Sequence, residues 1–210
     1  FTFDQLPEEI FNKNNFKRLY SNSLKSEHIR SFGIDTLLSI DFNSMRDLSA
    51  TYFCEEILLK RLNVKYLVIG DNFKFGKGRE GTIKMLREYE QFNDFNVIIP
   101  KLEKYKNENI SSTRIREFIN DGKFGDVENC LGWRYMIEGM VSHGEKLGRE
   151  LGYPTANISL DYDYPLDGIY LSEVFLYDQR YFALSSVGNK PTYNGKIKLL
   201  EVFIFDLNLI

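Results

Sequence analysis

Along the first 131 residues, short apolar runs alternate with stretches of helical period. Residues 36–40 (TLLSI) form a short run of β-rich type. Residues 49–62 (SATYFCEEILLKRL) set Phe53, Ile57, Leu58 and Leu62 on one helical face, with Ser49 placed to cap it. Residues 65–70 (KYLVIG) and 95–100 (FNVIIP) read as buried strands, with a helix over 82–92 between them. Apolar strands separated by helices predict a parallel sheet covered on both faces. A further helix over 112–121 ends at Gly122, the C′ position that favours glycine, and a short helix follows through Val127 to Leu131. At Trp133 the pattern changes. Residues 135–144, 168–178, 180–188 and 198–207 alternate, or run apolar over short lengths, between Gly, Asp, Asn and Pro turns. That pattern predicts an antiparallel sheet or small barrel. The expected fold class is therefore α/β then all-β, with domains at 1–131 and 132–210.

Composition changes this picture little. The 210 residues are 43% hydrophobic and 27% charged with a net charge of -3, which gives no electrostatic case for nucleic acid or a membrane surface. No apolar run approaches the ~18 residues that span a bilayer. Cys54 and Cys130 lack metal-type spacing and read as reduced thiols of a cytoplasmic protein. With only His28 and His143, a multi-histidine metal site is excluded; His28 reads as a solvated helix position and His143 as a turn residue.

Four stretches carry candidate chemistry. Residues 69–81 (IGDNFKFGKGREG) contain Gly76-x-Gly78-x-x-Gly81, the spacing of the dinucleotide fingerprint. In that fingerprint the first glycine follows the strand directly, whereas DNFKF intervenes here. The glycines then shape a turn, and Asp71 and Asn72, just past a strand's C-terminal end, become the ligand candidates, with Phe73 and Phe75 offering a surface to a ring system. In residues 110–118 (ISSTRIREF), Ser111, Ser112 and Thr113 are N-cap candidates. Arg114 and Arg116 stand against the helix dipole there, a combination suited to a polyphosphate. In residues 144–158 (GEKLGRELGYPTANI), Gly144, Gly148 and Gly152 permit close backbone approach. The oxygens of Thr155 and Asn157, on one side of an extended segment, suit a phosphate-bound Mg²⁺ or simply a hairpin turn. Glu201, within KLLEVFIFDL, shares a face with Phe203 and Phe205, opposite Leu200, Val202 and Ile204. It is either a surface carboxylate or, if buried with a raised pKa, a general base.

Taken in order, LSATYFCEEILLKRL, VIGDNFKFGKGREG, ISSTRIR, LGRELGYPTANI, SVGNKPT and LEVFIFD resemble the bacterial bifunctional riboflavin kinase/FMN adenylyltransferases, the prokaryotic FAD synthetases. The resemblance implies a Rossmann-like nucleotidylyltransferase domain followed by a Greek-key, six-stranded riboflavin kinase β-barrel. It implies ATP-dependent phosphorylation of riboflavin to FMN, then adenylylation of FMN to FAD with release of pyrophosphate, with Mg²⁺ as cofactor. By motif match Glu201 is similar to the kinase's catalytic base, and Thr155 and Asn157 to the residues that hold Mg-ATP, with Gly148 beside them. Ser112, Thr113 and Arg116 resemble triphosphate-binding residues, and Asp71, Asn72 and Phe73 the flavin-binding turn, where many members carry a second Asp in place of Asn72. The family's His-x-Gly-His signature is not in these residues, nor is the end of the kinase barrel, so the 210 residues as they stand are expected to lack adenylyltransferase activity. Two rivals are an NAD-binding oxidoreductase domain built on Gly76–Gly81 and a non-catalytic flavin- or nucleotide-binding module.

Overall fold

The computed structural model describes residues 1–12, 16–142, 154–176, 179–192 and 195–205, with the backbone alone at 189–192 and 195–197. In chain order the elements are β1 (Thr2–Phe3), α1 (Pro7–Phe11), α2 (Asn22–Ser31), β2 (Ser39–Ile40), α3 (Phe42–Met45) and α4 (Ala50–Tyr52). A π-helical stretch, Phe53–Arg61, continues α4. There follow β3 (Tyr66–Val68), α5 (Ile83–Phe92), β4 (Asn96–Ile98), β5 (Lys104–Tyr105), β6 (Glu108–Asn109), α6 (Ser112–Asn120) and α7 (Phe124–Leu131). The last strands are β7 (Met140–Ser142), β8 (Ala156–Ser159), β9 (Gly168–Leu176), β10 (Gln179–Thr192) and β11 (Gly195–Ile204). The chain is an α/β part followed by an all-β antiparallel part.

Contacts group the residues into two units, Phe1–Asn14 with Asp35–Ile110, and Asn15–Ile34 with Ser111–Ile210. This is a different division from a cut at 131/132. Hydrogen bonds explain it: residues 16–21 are tied to residues 116, 138 and 163. Arg116 Nε donates to the Lys17 carbonyl (2.6 Å), the Arg18 N–H to the Asp163 carbonyl (2.7 Å), and Ser21 Oγ to Glu138 Oε1 (2.6 Å).

In the first unit β1 pairs with β2 and β3 with β4, parallel as predicted, but among the described residues these are separate pairs, and β5 and β6 form a third pair that is antiparallel. They are also half-buried rather than buried throughout. In β3 and its extension Ile69 is buried while Tyr66 and Val68 are exposed, because helices cover only one side. The core joins Ala50, Phe53, Cys54 and Leu58 to Ile69, Phe75, Leu86, Phe95 and Val97. Ser49 caps α4 by accepting from the Tyr52 N–H (3.1 Å). The π winding, with hydrogen bonds reaching five residues back, brings Cys54 onto the buried face and leaves Leu62 exposed as the C-cap. Burial, with Glu55 nearby, pushes the Cys54 thiol up to about 11, which keeps it protonated and inert.

The glycine loop is folded onto this core. Phe75 and Gly81 exchange backbone hydrogen bonds (3.3 and 2.8 Å), closing the loop on itself. Gly76 has φ +74° and lies against the Ala50 backbone, where a Cβ would stand 2.7 Å from the Ala50 nitrogen. At Gly81 a Cβ would meet the Phe75 ring at 2.6 Å. The Ala50 N–H, at the start of α4, is taken by Glu80 Oε1 (2.8 Å). Since the Phe75 ring is locked in the core, Gly81→Ala is expected to lower stability by about 1–3 kcal/mol, read as a reduced denaturation midpoint; an unchanged midpoint would contradict this packing.

In the second unit, among the described residues, β7-β8-β11-β10-β9 form a five-stranded antiparallel sheet. β9, β10 and β11 are joined as successive hairpins and β8 returns beside β11. Ala183, Ser185, Val187, Leu200 and Val202 are buried on its inner face.

Candidate active sites

In β11, Leu200 and Val202 are 6% and 4% exposed, while Glu201 between them is exposed. Alternation therefore puts Glu201 on the open face of the sheet. Glu201 is not buried: a packed core on the opposite face claims the even-numbered residues and turns the odd ones outward. The register then decides who Glu201's neighbours are. It stands opposite Asn157 of β8 on one side and Ser186 of β10 on the other. Residues opposite each other in an antiparallel pair share a face, with Cβ atoms ~4.5–5.5 Å apart. Asn157, half-buried, is in turn opposite Ser142 of β7, whose Oγ donates to the Asn157 carbonyl (3.2 Å). Thr155, exposed, immediately precedes β8. Three residues predicted from two separate stretches thus fall into one neighbourhood; Gly148, with Gly144, Gly152 and His143, lies outside the described residues.

In the first unit, Ile69 continues β3 by donating to the Ile98 carbonyl (3.1 Å), and the chain then turns, the Phe73 N–H donating to the Gly70 carbonyl (3.2 Å). Asp71 and Asn72 are exposed at the tip. Phe73 is half-buried and stacked on Phe75 (centroids 5.6 Å, 21°), which packs on Phe53 at 5.1 Å. Of the two aromatics expected to meet a ring system only Phe73 retains surface, since Phe75 is a core residue.

At α6, Ser111 is the cap, accepting from the Arg114 N–H (3.3 Å), which leaves the Ser112 and Thr113 hydroxyls exposed in the first turn. The two cations that oppose the helix dipole are braced by aromatic rings. Arg114 lies over Phe118 (5.1 Å) and Arg116 over Phe16 (4.8 Å), with the Arg116 Nε bond to the Lys17 carbonyl already described. This helix and the Asp71–Phe73 turn belong to different units.

The comparisons with known proteins divide the chain elsewhere. A family model described as FAD synthetase matches residues 1–114, and one described as riboflavin kinase matches residues 131–209. A bifunctional riboflavin kinase/FMN adenylyltransferase of Buchnera aphidicola subsp. Schizaphis graminum is 41% identical over 214 residues, covering 99% of this chain and 69% of the relative. The chain belongs to the bifunctional riboflavin kinase/FMN adenylyltransferase family. The Haemophilus influenzae and Escherichia coli K12 members are 37% and 32% identical, each covering 98% of this chain and 68% and 67% of their own length. A solved Streptococcus pneumoniae chain described as a macrolide-efflux protein superposes with a TM-score of 0.81 at 33% identity, over 99% of this chain and 69% of that one. As a family member the chain is an enzyme of FAD biosynthesis, with riboflavin, FMN, FAD and ATP as the family's substrates and products. The NAD-binding alternative is not favoured: the family is a different one, and two glycines of its fingerprint, Gly76 and Gly81, pack against Ala50 and Phe75.

Sequence reasoning misplaced or missed several groups. His28 is not a solvated helix position. It is half-buried, stacked on Trp133 (4.5 Å, 22°), with Nε2 buried and without a hydrogen-bond partner among the described residues. Trp133 Nε1 donates to Tyr20 Oη (3.0 Å), and burial pushes the Tyr20 phenol up to about 12, so it stays neutral. Ser142 and Ser186 fall on the same cross-strand line as Asn157 and Glu201, which only the register reveals. Among the described residues no cluster of three or more His, Cys, Asp or Glu could hold a metal, and no helix is long and apolar enough to cross a membrane.

Proposed function

We propose that the open face of the sheet around Thr155, Asn157 and Glu201 is the riboflavin kinase site. We further propose that the α6 N-terminus and the Asp71–Phe73 turn serve FMN adenylylation. The observation that carries the first assignment is the pairing of Asn157 with Glu201 on the exposed face of the stretch matched by the riboflavin kinase model. Glu201 accepts the proton of the ribityl 5′-hydroxyl as its oxygen attacks the γ-phosphorus of ATP, and ADP leaves. The Thr155 hydroxyl and the Asn157 amide oxygen are neutral donors, a set that fits a Mg²⁺ which arrives with ATP and keeps most of its water. When bound, Mg²⁺ supplies charge neutralisation on the phosphate oxygens. Gly148, by family resemblance, lets the backbone approach the same phosphates.

In adenylylation an FMN phosphate oxygen attacks the α-phosphorus of ATP and pyrophosphate leaves. Ser112, Thr113 and Arg116 hold the triphosphate, the hydroxyls as donors and Arg116 as the braced cation. Asp71, Asn72 and Phe73 contact the flavin, Asn72 through a neutral amide where many members have a carboxylate. The corresponding domains are a transferase at 1–131, of Rossmann-like fold, and a kinase at 132–210, a Greek-key six-stranded barrel. The parallel pairing of β1–β2 and β3–β4 supports the former, and the return of β8 beside β11 the latter. The free thiols Cys54 and Cys130 support a cytoplasmic location.

In the complete protein, Glu201→Ala is expected to reduce FMN formation by at least ~10²-fold, the usual worth of a general base, while FAD formation from supplied FMN continues. Unimpaired phosphorylation of riboflavin would remove Glu201 from the chemistry. Arg116→Ala is expected to raise the KM for ATP in FAD synthesis about tenfold or more, as loss of a charge-assisted contact implies, and to spare the kinase. An equal fall in both activities would contradict the two-site division.

A further inference from the structure

We infer that Ser186 reads the acceptor's polyol chain in the kinase reaction. This rests on the kinase reading of Asn157 and Glu201 and extends it by one residue. The register runs unbroken across five strands as Ser142, Asn157, Glu201, Ser186, Ile169. Opposed residues share a face, so these side chains form one line at the strand spacing of ~4.8 Å.

The line is polar for four of its five members; on β10 and β11 its same-face neighbours are apolar or glycine, while Ser159 stands beside Asn157 on β8. Leu199 and Phe203 flank Glu201 along β11, Leu184 precedes Ser186 on β10, and Leu171 follows Ile169 on β9. Across β11 and β10, Glu201 and Ser186 are polar positions between apolar or glycine neighbours, which marks out the polar track of an elongated ligand over these two strands. With the phosphoryl group held at Asn157 and its acceptor oxygen at Glu201, the rest of the acceptor extends over the next strand. The first group it meets is the Ser186 hydroxyl, half-buried and one strand spacing from Glu201. Past Ser186 the line ends at Ile169, 69% exposed, with Leu171 at 74% beside it, where an apolar ring system is matched and further hydroxyls are not. A serine hydroxyl donates and accepts, so it can bond a secondary hydroxyl of a polyol but gains nothing from a bare methylene chain. Ser186 is thus a specificity residue for a hydroxylated linker between the phosphorylated carbon and the ring.

The test is the steady-state kinase reaction of the protein with two acceptors, riboflavin and the same flavin ring carrying an unsubstituted 5-hydroxypentyl chain. The wild type is expected to prefer riboflavin in kcat/KM. Ser186→Ala is expected to shrink that preference about tenfold, the worth of one hydrogen bond. The change should lie in the KM for riboflavin, with the KM for ATP and the adenylylation of supplied FMN unchanged. Ser186→Thr, which keeps the hydroxyl, should retain the preference. An undiminished preference in Ser186→Ala, or a parallel rise in the KM for ATP, overturns the inference. Glu201→Ala run alongside separates the two levels: if it abolishes phosphorylation while Ser186→Ala keeps the preference, this inference alone falls. If it leaves phosphorylation intact, the site reading beneath it falls as well.

Discussion

The pairing register of β11 between β8 and β10 is the constraint on which the proposed kinase site of the sheet rests. It is set by burial: Leu200 and Val202 pack inward with Ala183, Ser185 and Val187, and a slip by one residue would turn the whole inner set to solvent. Such a slip would also move Glu201 into the core and away from Asn157. The hydrophobic interior thus fixes the positions of groups that it never touches. Two polar residues 44 positions apart become neighbours because the apolar residues on either side of Glu201 are buried and those beside Asn157 half-buried.

A second constraint lies in residues 16–22. Arg18 is buried, with its guanidinium over the Tyr162 ring (4.0 Å), Nη1 on Asn22 Oδ1 (2.9 Å) and its N–H on the Asp163 carbonyl. Lys198, three residues before Glu201 on β11, donates to Asp163 Oδ1 (2.8 Å) and the Tyr164 carbonyl (2.7 Å). On the other side the same segment meets Arg116 of α6. One short stretch of chain therefore supports both a helix assigned to adenylyl transfer and the turn next to the kinase strand, which is why contacts group them in one unit although the two family models divide elsewhere.

What could be read in the sequence was what local physics determines. The caps at Ser49 and Ser111, the glycine stop at Gly122 and the alternation through Glu201 depend on neighbours within a few residues, and all are present. The resemblance then supplied the order of motifs. What could not be read depends on distant partners. Which side of β11 is open follows from the strands beside it. The fate of the glycines follows from Ala50, some 26 positions before Gly76, and the stacking of His28 from Trp133, more than a hundred positions later. The split of the parallel strands into two pairs and the half-exposure of β3 likewise reflect which faces the helices cover. The polar line through Ser142 and Ser186 is invisible without the register, since each serine alone is an ordinary strand residue.

The central claim is that Asn157 and Glu201 act on one reacting group because the register makes them neighbours. A double-mutant cycle on riboflavin phosphorylation tests it directly, with Asn157→Ala, Glu201→Ala and the double variant compared by kcat/KM. Residues that act as a unit are strongly non-additive, so the double variant is expected to be little slower than the worse single one. Independent effects, with the two losses multiplying, would contradict a shared site on the open face of the sheet.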